Sequence, residues 1–237
     1  MGRDYMPKSK KTIYQEKGIF AFSMDSVLLA AYGKAKGDML DLGCGSGFLA
    51  MAAYDEAKSV TAIDIEPRAV ELLEKSAGEN GMSMEIRCGD FRTLDLGTYD
   101  TIWTNPPFYK SSLQNKNSAV ARAKHLAEDM HWFYEASKLL KPKGVLYAVV
   151  DVAHFGDILI DLKEGNMTIT HLRPVYWREG EEARRILFTA IKGGGSFLHM
   201  APPLYIYDGR DYTEEVAGYY GREGLFLPDA HRQFRRY

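Results

Sequence analysis

Asp41-Leu42-Gly43-Cys44-Gly45-Ser46-Gly47-Phe48 is the stretch whose reading decides the fold. Asp38-Met39-Leu40 before it reads as the end of a short apolar strand. Phe48-Leu49-Ala50-Met51-Ala52-Ala53-Tyr54 after it reads as a helix start. Glycines at alternate positions allow positive φ and let backbone amides approach a ligand with no Cβ in the way. A ligand carrying a carboxylate, ribose or phosphate is expected to find donors here, beside a helix N-terminus. Spacing narrows the choice. A dinucleotide fingerprint needs glycine at the sixth position counted from Gly43, where Phe48 stands. A tight turn with no ligand uses the same residue types, so the following segments decide.

Ser59-Val60-Thr61-Ala62-Ile63-Asp64-Ile65 reads as a buried second strand ending in an acid. In nucleotide folds a carboxylate there accepts ribose hydroxyls, although it can equally cap the next helix, where Pro67 suits the first turn. That helix is expected from Pro67 to Asn80, with Val70, Leu73 and Ala77 on one face and Gly81 at its stop. Ser83 to Cys88 is the third strand, followed by Gly89-Asp90-Phe91. Asp90 can accept from an adenine amino group with Phe91 beside the ring, or simply form an Asx-turn. Tyr99 to Thr104 is the fourth strand and runs into Asn105-Pro106-Pro107-Phe108. The prolines stiffen the backbone and remove two amide donors. Pro106 then offers its carbonyl, Asn105 a side-chain carbonyl and Phe108 a flat face. Two acceptors and a stacking plate suit a planar ring bearing an NH2 group.

Upstream, Ser23 or Asp25 is expected to cap a helix over about 26–34, with Val27, Leu28 and Ala31 facing the core. Residues 109–117 read as a polar loop beside the site; Lys110 and Lys116, with Arg122 beyond, add positive charge. A helix over 127–140 stops at Lys141-Pro142-Lys143-Gly144. A buried strand (145–150), a helix (about 153–164) and two further strands (166–172 and 184–191) follow. Basic clusters at Lys8 to Lys11 and His231 to Tyr237 read as solvated ends or phosphate contacts.

With 237 residues, 46% of them hydrophobic, the chain suits one α/β domain with small additions. A net charge of -2 leaves any nucleic-acid site to a local patch. The only cysteines, Cys44 and Cys88, do not make a disulfide framework, so a reduced, cytoplasmic setting is expected. Neither the thiols nor the scattered histidines have metal-ligand spacing, and no metal is expected. The N-terminus lacks the apolar core of a signal peptide, and no apolar run is long enough to span a membrane.

The order of these segments resembles the amino-methylating branch of class I S-adenosylmethionine-dependent methyltransferases. It is most similar to the bacterial tRNA adenine-N6 methyltransferases that modify the purine beside the anticodon of a valine tRNA. Phe22 to Ala30, Asn105 to Phe108, Ala183 to Leu187, and Pro202-Pro203-Leu204 with Tyr212 to Val216 carry the resemblance. One departure is Lys143, where such proteins usually have glycine. The resemblance implies a Rossmann-like α/β fold. Its sheet would be seven-stranded and mostly parallel, ordered 3-2-1-4-5-7-6, with the last strand antiparallel and helices on both faces. It implies an N-terminal segment (1–34) covering the cofactor site and a methyltransferase domain (35–237) including a C-terminal extension. Asp41, Gly43, Gly45 and Gly47 would hold the methionine part of S-adenosylmethionine, approached by Ser23 and Asp25. Asp64 and Ile65 would take the ribose, Asp90 and Phe91 the adenine. Asn105, Pro106 and Phe108 would be catalytic, with Pro107, Lys110, Lys116 and Arg122 toward a tRNA substrate, in a monomer or weak dimer. The tetrapeptide is shared with enzymes acting on protein glutamine or rRNA guanine. Those substrates, a small molecule, or a non-catalytic cofactor-binding RNA scaffold are the alternatives.

Overall fold

The strand that precedes the glycine turn lies in the middle of a mostly parallel sheet. A computed structural model describes residues 2–16, 22–106 and 131–221. A hairpin, β1 (Gly2–Tyr5) and β2 (Thr12–Gln15), precedes α1 (Met24–Tyr32). The alternating part follows: β3 (Asp38–Leu42), α2 (Phe48–Ala53), β4 (Ser59–Asp64), α3 (Pro67–Glu79), β5 (Glu85–Cys88) and β6 (Tyr99–Thr104). After residues 107–130 come α4 (Trp132–Lys138), β7 (Leu140–Asp151), α5 (Phe155–Glu164), β8 (Met167–Tyr176) and β9 (Ala183–Lys192). Short pieces close the described chain: β10 (His199–Met200), β11 (Leu204–Tyr205), β12 (Tyr207–Asp208), β13 (Asp211–Tyr212) and α6 (Glu214–Tyr219).

The main sheet has nine strands rather than the expected seven. Along it run β5-β4-β3-β6-β7-β9-β8, and β9 is antiparallel to both its neighbours. The additional two are the two-residue strands β10 and β11, which pair in parallel with β8. Strand order reverses between β3 and β6, so the crevice at their carboxyl ends is the switch point where open α/β sheets bind ligands.

Alternation along the strands sorts side chains into two apolar layers, as the pleat requires. Met39, Ala62, Trp103, Val149 and Leu187 face one layer, shared with Val27 and Leu28 of α1, Met51 of α2 and Leu73 of α3. Leu40, Ile63, Ile102, Leu146 and Phe188 face the other, closed by Phe133 of α4 and Ile158 and Leu162 of α5. Leu204, Ile206 and Val216 of the C-terminal part join the first layer, so that part packs onto the sheet. Arg173 of β8 also reaches across to Glu215 of α6, at 2.6 Å.

Several boundaries differ from the sequence reading for physical reasons. The first helix starts at Met24 rather than Ser26, and Ala31 is exposed where a core position was expected; Leu29 is buried instead. Lys141-Pro142-Lys143-Gly144 belongs to β7 rather than ending a helix. Lys143 turns there with φ 64°, a conformation glycine adopts without strain, which accounts for the glycine usual in the resembling proteins. The N-terminal hairpin was not foreseen. It clasps α3: Tyr14 N donates to Ser76 Oγ at 2.9 Å, and Thr12 N to Asn80 Oδ1 at 3.0 Å. Among the described residues no helix is long and apolar enough to cross a membrane.

Candidate active site

Asp41, the last residue but one of β3, has a fully buried carboxylate. Its Oδ2 accepts from Ala50 N at 2.8 Å in the first turn of α2, and its Oδ1 has no partner. Burial, reinforced by the nearby Asp64 charge, pushes its pKa up to about 7; the Ala50 hydrogen bond opposes this. A buried oxygen left without a donor beside a glycine-rich turn fits a ligand that brings a cationic or N–H group.

The turn itself is built for close packing. Gly43 has φ 74°, and a Cβ there would come within 3.3 Å of the Trp132 ring. Gly47 has φ 85°, and a Cβ there would sit 2.1 Å from Leu73 Cδ1 of α3. The amides that sequence reasoning offered to a ligand are engaged within the protein. Gly43 N and Cys44 N both donate to Ile63 O, Gly47 N to Cys44 O, and Gly45 N to Asp64 Oδ2. The glycines therefore give a ligand room rather than these donors.

Asp64 ends β4 and is 8% exposed. It accepts from Gly45 N at 2.8 Å and Glu66 N at 2.9 Å, and burial raises its pKa. Each oxygen keeps a second lone pair, so the carboxylate both ties the glycine turn to β4 and can accept a hydroxyl. Ile65 beside it is exposed. Asp90 follows β5 and makes the Asx-turn: its Oδ1 accepts Arg92 N at 3.0 Å. Arg92 also clasps the carboxylate with its guanidinium, holding the Asp90 pKa below the usual range. Phe91 is buried edge-on against Trp132, centroids 5.2 Å apart.

Asn105 and Pro106 sit just past β6, one strand over from the Asp41 turn. Asn105 is half-buried, and its Nδ2 donates to Ser26 Oγ at 3.4 Å. Pro107, Phe108, Lys110, Lys116 and Arg122 lie outside the described residues. Ser23 is exposed and heads α1 without a side-chain cap bond. Asp25, expected at the cofactor, has its carboxylate on Arg185 of β9, Nε to Oδ2 3.0 Å. Phe22 stacks on Phe48 at the start of α2, centroids 4.7 Å apart, bringing the segment before α1 against the glycine turn.

Sequence reasoning missed three participants. Trp132 stands over Gly43 and donates from Nε1 to Thr104 Oγ1 at 3.1 Å, while Thr104 donates to Leu42 O. Asp151 was unremarked and Ser26 was read only as a helix start; only their long-range partners reveal their part in the site. A further cluster is formed by His131, just before α4, with Asp161 and Glu164 of α5. There Asp161 supports the start of α4, accepting His131 Nδ1 at 2.8 Å and Phe133 N at 3.3 Å.

Residues 10–157 match the family model described as methyltransferase small domain. The chain is 29% identical over 164 residues to a protein of Bacteroides fragilis (strain YCH46) named tRNA1(Val) (adenine(37)-N6)-methyltransferase, covering 63% of this chain and 68% of that one. Among solved structures it resembles a predicted O-methyltransferase from Agrobacterium tumefaciens. The TM-score is 0.64 at 22% identity, covering 86% of this chain and 99% of the other. It also resembles a T. thermophilus 16S rRNA methyltransferase in complex with AdoMet and guanosine. There the TM-score is 0.56 at 20% identity, covering 81% of this chain and 50% of that longer one.

Proposed function

The chain belongs to the methyltransferase small domain family, and on that premise we propose that it methylates the exocyclic N6 amino group of an adenine in tRNA. It is an S-adenosylmethionine-dependent methyltransferase. The observation that carries the finer reading is the placement of Asn105-Pro106 at the carboxyl end of β6, across the switch point from the buried Asp41 and its glycine turn. The name of the Bacteroides fragilis relative supports the choice of tRNA adenine.

Asp41 and the Gly43 to Gly47 turn would hold the amino-acid end of the cofactor, and Asp64 the ribose. Asp90 can take the adenine only by sharing its carboxylate with Arg92. When bound, the cofactor supplies an electrophilic methyl group on a sulfonium. The acceptor nitrogen is a weak nucleophile because its lone pair is delocalised into the ring. Asn105 Oδ1 and the Pro106 carbonyl would accept its two hydrogens, favouring a pyramidal nitrogen with its lone pair on the methyl side. Both acceptor bonds strengthen as positive charge develops there, so they stabilise the transition state more than the ground state; the nitrogen–methyl bond would form as the sulfur–methyl bond breaks, and the nitrogen would then release one of its two protons. In-line placement of the two substrates supplies much of the remaining acceleration. Phe108, beyond the described residues, would stack on the extruded base.

Asn105→Ala tests the acceptor role. Removing one such contact should cost about 3 kcal/mol of barrier, or on the order of a hundredfold in kcat. Cofactor Kd measured by calorimetry should stay within about threefold. Transfer at near wild-type rate with cofactor bound would defeat the acceptor mechanism. Mapping the modified nucleoside in RNA from cells with and without the protein tests the substrate. N6-methyladenine in tRNA is expected, whereas methylguanine in rRNA, methylated protein, or cofactor binding without turnover would each replace this reading.

A further inference from the structure

Arg185 forms a largely buried charge cluster that the acceptor chemistry does not by itself require. It donates from Nε to Asp25 Oδ2 at 3.0 Å and from an Nη to Asp151 Oδ2 at 2.8 Å. The three side chains are 13%, 14% and 28% exposed. Exposed ion pairs contribute little, but a guanidinium held between two carboxylates away from water is costly to break on one side. Arg185 faces Asp151 in the register of β9 and β7, at the carboxyl end of β7. Asp25 belongs to the first turn of α1, so the cluster fastens the start of that helix to the carboxyl end of β7, the strand next to the one that Asn105 follows.

The next residue along α1 is Ser26, which is buried. Its Oγ accepts Asn105 Nδ2 at 3.4 Å. A carboxamide has two faces: turned one way it presents an acceptor, turned the other way a donor. Only the acceptor can receive a hydrogen from an amino group. A hydroxyl can donate as well as accept; in the arrangement found here Nδ2 lies on Ser26 Oγ, and Oδ1 is the group left for another partner.

We propose that Arg185 and Ser26 are positioning residues for Asn105. Arg185 seats the first turn of α1 through Asp25, and Ser26 then holds the Asn105 amide with its oxygen available to the substrate. This rests on the acceptor role given to Asn105 above. Asp25 on this account acts through the helix rather than by touching the cofactor.

Two readouts test it, one of them independent of substrate. In side-chain amide NMR spectra, the Asn105 NH2 resonances are those lost in Asn105→Ala. Ser26→Ala, Arg185→Lys and Asp25→Asn should each shift them, and Ser26→Thr, which keeps the hydroxyl, should leave them close to wild type. In single-turnover methyl transfer at saturating RNA and S-adenosylmethionine, Ser26→Ala should slow the step about tenfold, with cofactor Kd changed less than about twofold. Ser26→Thr should recover most of that rate. Ser26→Ala combined with Asp25→Asn should be no slower than the slower single variant, because both act on one group. Unmoved Asn105 resonances, cofactor affinity falling in step with rate, or losses that multiply would overturn the proposal. If the wild type methylates no RNA, the substrate reading fails while the Asn105 resonances still decide the positioning.

Discussion

Asp41 shows how one side chain can serve both structure and ligand. Its Oδ2 does what a helix cap does, accepting Ala50 N in the first turn of α2, while its Oδ1 is buried without a partner. An ordinary cap would be legible from sequence as an acid before a helix, but the unpartnered oxygen is visible only in the fold. Its carboxyl pKa stands near 7 against a usual 3.8, chiefly through burial. Within that window the folded protein keeps a proton that the unfolded chain has released. The linked stability is therefore fully present below the usual value and is lost as pH rises through about 7. Thermal melts of the cofactor-free protein between about pH 5 and about pH 8 should show Tm falling by several degrees or more, since each kcal/mol is worth roughly 2–4 °C at this size. Asp41→Asn cannot ionise and should flatten that decline. An unchanged slope would mean that another group carries it. Asp25 carries the opposite lesson. Its place before a helix made it readable as a cap or a cofactor contact, yet Arg185, which takes its carboxylate, stands 160 residues further along the chain.

Elements whose cause is local were legible, and those built from distant partners were not. The strand, glycine turn and helix over 38–53 follow from residue types within a few positions of one another. The β1–β2 hairpin has short strands, and its amides at Tyr14 and Thr12 are met by Ser76 of α3 and by Asn80 just past its end, so nothing near it in sequence announces it. Two-residue strands such as β10 and β11 are shorter than any alternation pattern can mark. At Gly47 the local and the distant meet. Sequence gives the turn, and α3 gives the second reason for glycine, because Leu73 occupies the space of a Cβ. Gly47→Ala combines a left-handed strain with overpacking and should cost about 2–4 kcal/mol in a urea titration. Gly78→Ala is the internal control: nothing lies within 4 Å of its Cβ, and it sits inside α3. That change should be neutral or stabilise by about 0.5–1 kcal/mol. Equal effects at the two sites would mean that the Leu73 contact is not what excludes a side chain.

At the scale of the whole molecule, the switch point between β3 and β6 gathers Asp41, Asp64, Asp90, Asn105 and Asp151 at the carboxyl ends of neighbouring strands. A crevice this rich in acids, in a chain of net charge -2, does not attract a polyanion by its long-range field. RNA affinity must then come from a few cations set close to the crevice, and sequence offers Lys110, Lys116 and Arg122 on the segment that follows Asn105. Counterion release makes such binding fall with salt by roughly 0.7–0.9 in log K per log unit of salt for each phosphate neutralised. If all three cations meet phosphates, they account for a slope of roughly -2 to -3. The combined variant Lys110→Ala, Lys116→Ala and Arg122→Ala should lose affinity for tRNA most at low salt and flatten the plot by about that amount. Binding of S-adenosylmethionine, read by calorimetry, should be unaffected, because the groups assigned to the cofactor lie at the ends of β3 and β4 or follow β5. A salt slope equal to that of the wild type would remove these cations from the RNA interface and turn attention to the basic cluster from Lys8 to Lys11.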